Sequence, residues 1–469
     1  MSSVNVLRIL AQFVTLPILS RLLTPTDYGI VGIAMPFILF AMMLADAGIG
    51  MSLVRTPAKE REEWSTCFWL SVVFGIVLAV IVIALAPLAA LSFGEPTLTP
   101  IVTALAVVVG AQAVFLVPRA AQQQSHQFNV IAGTEMAAIA CGIGCALVIA
   151  LCGGGAWALV GQQLAFFAVR VVLTVWLSPF RPLMVFEFHR AREHIRFGRD
   201  LLNNNLIGFF TRSIDNLLIG KVLGSEAVGF YSMAFQFARL PMMLIAGPLQ
   251  YVLYSELVKL KKHPLALGCT FFTLSRVLAI LVFPTVGMVA AAHQAVFRVL
   301  LSDKWASSGH LFMIVAAACA LQAVTSIGGT IRMVMGRTDI LLRMTIESGV
   351  VWFITLLVAV RFGLDWIAVA YNISALVYFP RSMMLVLPVV GGSLPSYLRT
   401  IAIPFLVSCG CILGFRQVTR FIALSDWSQL CVGGAFAVIG VVACIFIQRQ
   451  TLRVEIAALR KLMQSSHEE

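Results

Sequence analysis

Charge is what this sequence has least of. Only 12% of its 469 residues are Asp, Glu, Lys or Arg, about half the roughly 25% of a soluble globular chain. With 60% hydrophobic residues and a mean hydropathy of +0.95, that scarcity excludes one or several soluble domains. It equally excludes a disordered or collagen-like chain. Strict alternation of apolar and polar residues is also missing. Runs such as residues 72–91 are apolar on every side, so a transmembrane barrel is excluded. Enzyme motifs are absent too: no GxSxG, no Walker loop, no HExxH and no paired carboxylates on one helix. The histidines lie in or beside loops or in the tail, and no catalytic use is expected of them. Cys141, Cys145, Cys409, Cys411 and Cys444 lie in apolar stretches, as small hydrophobes do. Cys409 and Cys411 are too close for a zinc CxxC. No metal, disulfide framework or cofactor is expected. The first residues lack a basic leader and a small-residue cleavage site, so no signal peptide is expected.

What is present is a series of long apolar runs. A helical span needs about 20 apolar residues to cross about 30 Å of hydrocarbon. The pattern predicts an all-α polytopic membrane protein with about 14 helices. They fall near 3–20, 28–51, 66–92, 99–118, 130–151, 155–177, 201–222, 227–250, 268–292, 309–331, 340–361, 364–388, 398–416 and 429–447. A polar stretch at 178–199 divides the series. The tail 448–469, with Leu452, Ile456 and Leu459 at helical spacing, predicts a short amphipathic helix resting on the lipid surface. The net charge of +12 reflects membrane loops rather than nucleic acid. Lys and Arg concentrate in alternate loops, among them Arg55, Lys59, Arg61, Arg119, Arg190, Lys261, Arg332 and Arg337. That bias predicts both termini inside.

The two halves echo each other. Residues 18–29 (ILSRLLTPTDYG) lie against residues 218–229 (LIGKVLGSEAVG), with Leu23 matching Leu223, Gly29 matching Gly229, and Arg21 facing Lys221. Gln112-Ala-Val recurs as Gln322-Ala-Val. Six spans separate the copies, which predicts a parallel repeat. Two similar bundles around a cavity form a transporter layout. The expected organisation is an N-lobe over 1–199 with its linker, a C-lobe over 200–388, and two further helices with a tail over 389–469.

Charges within spans cost roughly 2.5–3.5 kcal/mol each on insertion scales, and persist where they pair or face a cavity. The candidates are Arg8, Arg170, Arg212, Arg239, Arg276 and Arg381, and, less deeply, Asp46, Glu135, Asp215 and Glu347. Arginine is in surplus, and guanidinium binds phosphate bidentately, so an anionic substrate is expected. Arg8, Arg170, Arg212, Arg239 and Arg276, with Asp215, are the candidate substrate-binding residues. Arg212 and Asp215 stand at i, i+3 and can also neutralise each other. Arg170, Arg276 and Arg381 are near enough to helix ends to snorkel instead.

Several segments resemble one family. Residues 20–29 (SRLLTPTDYG) look like the ARLLTPxDFG segment of polysaccharide transporters. Residues 212–224 (RSIDNLLIGKVLG), followed by Val228-Gly-Phe-Tyr-Ser and Leu240-Pro241, resemble that family's RxxDNLLIGxxLG stretch. Residues 300–305 and 336–339 also fit. The family belongs to the multidrug/oligosaccharidyl-lipid/polysaccharide (MOP) exporter superfamily. The resemblance implies two six-helix lobes in a V around a central cavity. It implies an inner-membrane flippase, not an enzyme, moving an undecaprenyl-diphosphate-linked oligosaccharide for exopolysaccharide, capsule or O-antigen synthesis. Its partners would be membrane lipid, the lipid-linked oligosaccharide and other polymer-assembly proteins. The alternative is a cation-coupled multidrug antiporter of the same superfamily, against which the arginine surplus counts.

Overall fold

The computed structural model describes residues 15–46, 48–55, 61–187, 189, 194, 206, 208–209 and 213–468. Among them every regular element is helical. Eleven stretches are long and apolar enough to cross a membrane, and the chain is a multi-pass membrane protein. Of the remaining expected spans, 3–20 falls largely outside the described residues, while 201–222 is described at 206, 208–209 and 213–222 and is helical from residue 213 on. The expected span at 364–388 is a helix, Leu364–Val386, made less apolar by Asp365, Asn372 and Arg381.

The chain divides into two compact units, residues 1–232 and 233–469. The first contains α1 (Pro25–Asp46), α2 (Ile49–Arg55), α3 (Arg61–Phe93), α4 (Leu98–Gln124), α5 (Phe128–Leu151) and α6 (Trp157–Leu177). The expected span at 28–51 is broken: Gly48 takes φ +69° between α1 and α2, a backbone conformation that glycine adopts without strain. Helix α4 is the hub, packed against α1, α2, α3 and α6. The reason is legible on α3. Ser71, Gly75, Leu78, Val82 and Ala86 are buried, while Val73, Ile76, Val77 and Val80 are exposed. Small residues at 71, 75 and 86 let the neighbouring helix approach closely, while large apolar residues face outward, as lipid requires. At Gly75 a Cβ would overlap the Ala113 side chain of α4.

The same unit holds the start of α7 (Ser225–Ala238). The two echoed segments pack on one another there. A Cβ on Gly29 would overlap the carbonyl of Ser225, and one on Gly229 would overlap the carbonyl of Pro25. Each glycine meets the residue four positions before the other. The polar segment after α6 is docked onto the start of α3. Arg61 donates to the Arg181 carbonyl, Ser65 Oγ accepts from the Leu183 N–H, and Trp69 Nε1 donates to the Leu183 carbonyl.

The second unit continues with α8 (Gly247–Lys259), α9 (Pro264–Ala291), α10 (His293–Leu300), α11 (Ala306–Thr325), α12 (Ile327–Val334), α13 (Thr338–Ala359), α14 (Leu364–Val386), α15 (Leu394–Phe421) and α16 (Asp426–Glu468). Here α9 is the hub, against α11, α15 and α16. The tail corrects the sequence reading. It is no separate helix but the end of α16, a continuous 43-residue helix, about 65 Å long at 1.5 Å per residue. No proline or glycine interrupts it after Gly440. Glu455, beyond the apolar stretch, is held by Arg276 of α9.

Candidate functional site

In the second unit the site is built where a helix changes pitch. Pro241 lacks an N–H and its ring crowds the carbonyl of Phe237, so α7 ends in a turn at Arg239. A wide helical turn, Met242–Ala246, follows before α8. Such wide turns recur at functional positions. Arg239 lies midway along the candidate span Ser225–Tyr251 and is exposed, as is Gln236 one turn earlier. Tyr371 of α14 acts electrostatically with Arg239. Its hydroxyl donates to Gln322 Oε1 of α11 at 3.0 Å. Phe235 and Trp352 hold the Tyr371 ring edge to face, at 4.9 and 5.2 Å between centroids. A fixed phenol, an exposed amide and an exposed guanidinium at mid-span depth belong against water or a polar ligand, not hydrocarbon. The same unit has an apolar groove of about 690 Å³ among α9, α11, α14 and α15, with Arg416 at its rim. Its size and lining suit a hydrocarbon chain.

In the first unit three charges meet. Arg170 of α6 bonds Glu135 of α5 at 2.9 and 3.0 Å, and Arg119 of α4 reaches the same carboxylate at 3.5 Å. The guanidinium of Arg170 lies 3.9 Å from the Phe115 ring centroid, with Phe166 and Phe167 beside it. Two cations share one anion, and Arg119 Nη1 is buried without a partner among the described residues.

The other sequence candidates are placed as follows. Arg276 donates to Glu455 at 2.9 and 3.2 Å and to Gln448 at 2.9 Å, and Thr273 adds a bond to Glu455. That guanidinium ties α9 to α16. Asp215 is buried and accepts from the Tyr231 hydroxyl at 2.8 Å and the Asn216 N–H at 2.9 Å. Arg8 and Arg212 lie outside the described residues. Sequence reasoning missed Tyr371, Gln322 and Arg119. The Gln322 echo was visible, but the fixed phenol beside it was not. Arg119 was read as a loop cation because it lies near a helix end. His194 was assigned no role, and the structure gives it a tethering one. Its ring sits 2.7 Å from Ser52 Oγ and 3.0 Å from Glu63 Oε1, pinning the polar segment to α2 and α3. Among the described residues no cluster of His, Cys, Asp and Glu is arranged to hold a metal ion.

Known proteins share this architecture. The lipid II flippase MurJ, in an inward closed conformation, has a TM-score of 0.77 at 9% identity, covering 95% of this chain and 100% of that one. An inward-facing multidrug resistance MATE family transporter of the MOP superfamily gives 0.58 at 16% identity, covering 83% and 96%. Among curated relatives, the Teichuronic acid biosynthesis protein TuaB of Bacillus subtilis is 24% identical, covering 85% of this chain and 83% of its own. The Lipopolysaccharide biosynthesis protein WzxC of Escherichia coli is 24% identical over 84% and 81%. The Succinoglycan biosynthesis transport protein ExoT of Rhizobium meliloti is 25% identical over 63% and 60%. The family described as "Polysaccharide biosynthesis protein" matches residues 18–310, well over half of the sequence, and this chain belongs to that family.

Proposed function

We propose that this chain is a flippase that carries an undecaprenyl-diphosphate-linked oligosaccharide across the bacterial inner membrane, for exopolysaccharide, capsule or O-antigen synthesis. The observation that carries the reading is Arg239, an exposed guanidinium at mid-span beside Tyr371 and Gln322. A phosphate recruits the charge and fork of guanidinium, and sugar hydroxyls exchange hydrogen bonds with phenol and amide. The apolar groove near Arg416 offers room for an alkyl chain. In this reading Arg239 holds the diphosphate, while Arg170 with Arg119 supplies a second positive field. Arg8, Arg212 and Asp215 are further substrate contacts. In this reading the chain has about 14 helices, six in each of two lobes over 1–199 and 200–388 and two more over 389–469, with both termini cytoplasmic. Other polymer-assembly proteins are expected partners.

The fold is shared with a multidrug resistance MATE family transporter. The surplus of buried and exposed arginine favours an anionic substrate over a cationic drug. The test is polymer export in a strain deleted for the gene. Wild type should restore surface polymer. Arg239→Ala should lower it by orders of magnitude at equal protein level, with lipid-linked repeat units accumulating inside, and Arg239→Lys should rescue only partly. Full export by Arg239→Ala would overturn the assignment of the diphosphate to this residue. Drug resistance without polymer export would overturn the flippase.

A further inference from the structure

Arg332 is assigned to a loop by counting charges, but it lies in helix α12 and is buried, with 7% exposure. Among the described residues its Nε and Nη1 have no hydrogen-bond partner, and no carboxylate pairs with it. Its titratable neighbour is Tyr378, whose hydroxyl is donated to the Met344 carbonyl. A guanidinium stays charged in proteins. A buried charge with no counter-charge is among the most destabilising arrangements a fold can hold. An anion supplied from outside the chain would complete it.

The backbone keeps side chains away from the guanidinium. Gly328 stands one turn before Arg332. A Cβ there would lie 3.7 Å from Arg332 Nη1, 3.2 Å from Val386 and 3.8 Å from Met383. Any side chain at 328 would press on Val386 and touch the guanidinium. Two residues along, Thr330 donates to Gln250 Oε1 of α8 at 3.1 Å, and Gln250 donates to Ser326 at 2.5 Å. Thr330 lies about 200° around the helix from Arg332, so these bonded groups offer Arg332 no partner. Past the end of the helix, Lys261 Nζ comes within 3.9 Å of where a Gly336 Cβ would stand. Apolar Met383 and Val386 on one side and cations on the other match a headgroup whose tail stays in hydrocarbon.

We propose that Arg332 binds the phosphate of a lipid headgroup, a second anion site besides Arg239. Two lipids share that chemistry: a bilayer phospholipid and a polyprenyl diphosphate. The assignment to a polyprenyl diphosphate rests on the flippase reading. The assignment to a phospholipid does not.

The experiment uses purified full-length protein in detergent, with undecaprenyl diphosphate, dioleoylphosphatidylglycerol and sodium diphosphate as probes. Thermal melting and binding are followed for wild type, Arg332→Met, Arg332→Lys and Gly328→Leu. Arg332→Met should melt at or above the wild-type temperature without lipid, because an uncompensated buried charge is gone. It should also bind at least one of the two lipids about tenfold or more weakly. Arg332→Lys should recover part of the affinity. Gly328→Leu keeps the charge but crowds Val386 and the guanidinium, and should lose binding as well. Preference for undecaprenyl diphosphate assigns the site to the transported substrate. Equal binding of phosphatidylglycerol assigns it to bilayer lipid. Earlier melting of Arg332→Met with unchanged lipid affinity would make the residue structural and overturn the proposal, as would wild type binding neither lipid. Binding is read apart from export, so failure here leaves the role of Arg239 standing.

Discussion

Two Arg–Glu pairs stand at nearly the same repeat spacing. Arg170 and Arg381 are 211 residues apart, Glu135 and Glu347 are 212 apart, and each pair bridges a helical hairpin. Their surroundings differ. Glu135 is 12% exposed and holds Arg170 at 2.9 Å, under a cover of phenylalanine rings. Arg381 is 45% exposed and meets Glu347 at 3.5 Å, while Glu347 bonds more closely, at 2.8 Å, to Arg343 on its own helix. One pair is packed as scaffold. The other lies on the surface of its unit, where solvent, lipid or substrate reaches it. Equivalent positions can thus keep their charge signs while the work those charges do diverges.

The comparison is broken most severely where both copies ought to behave alike. Gly29→Val and Gly229→Val each drive a side chain into a carbonyl of the facing segment. Backbone cannot yield as a flexible side chain does, so either change should abolish folded protein, read as loss of the monodisperse peak in fluorescence-detected size exclusion. If one glycine tolerates Val and the other does not, the equivalence of the two copies fails.

Next is Glu135→Ala. It leaves Arg119 and Arg170 buried together without their shared anion. Breaking a buried ion pair in this way costs about 3–5 kcal/mol. Melting should fall by several degrees and expression should drop. Arg119→Gln added to Glu135→Gln should restore much of it, since the remaining charge is then single and covered by aromatic rings. Arg170→Lys should cost less. It keeps the charge but gives up the planar stack on Phe115, worth about 0.5–2 kcal/mol.

The spans were legible because a membrane imposes long apolar runs, and Arg239 was legible because a charge at mid-span beside Leu240-Pro241 stands out. Arg119 and Arg332 were not. Each lies within a few residues of a helix end, where sequence cannot separate a loop cation from one folded back into the bundle. The role of Arg276 was hidden for another reason. Its partner Glu455 is 179 residues away, on a helix that sequence pattern divides in two because its apolar stretch ends before the helix does. The close packing of residues 25–29 on 225–229 was implied by no local pattern, although the echo itself was plain.

The smallest effect is expected at the exposed pair, and it sharpens the comparison most. Glu347→Ala removes the anion shared by Arg343 and Arg381. If that face meets water, both guanidiniums are rehydrated, and surface ion pairs contribute little to stability. The melting temperature of the purified protein and its level in the membrane should then match wild type within error, in contrast to Glu135→Ala. If the face meets hydrocarbon, two unpaired cations are left in lipid, each disfavoured by roughly 2.5–3.5 kcal/mol on insertion scales, and the membrane level should fall steeply. The helix supports the first outcome. Arg343, Glu347 and Arg381 are exposed to 70, 30 and 45%, and a span that presented all three to lipid would insert poorly. A fall in membrane level as large as that of Glu135→Ala would place this surface against lipid and make the two pairs equal partners in stability.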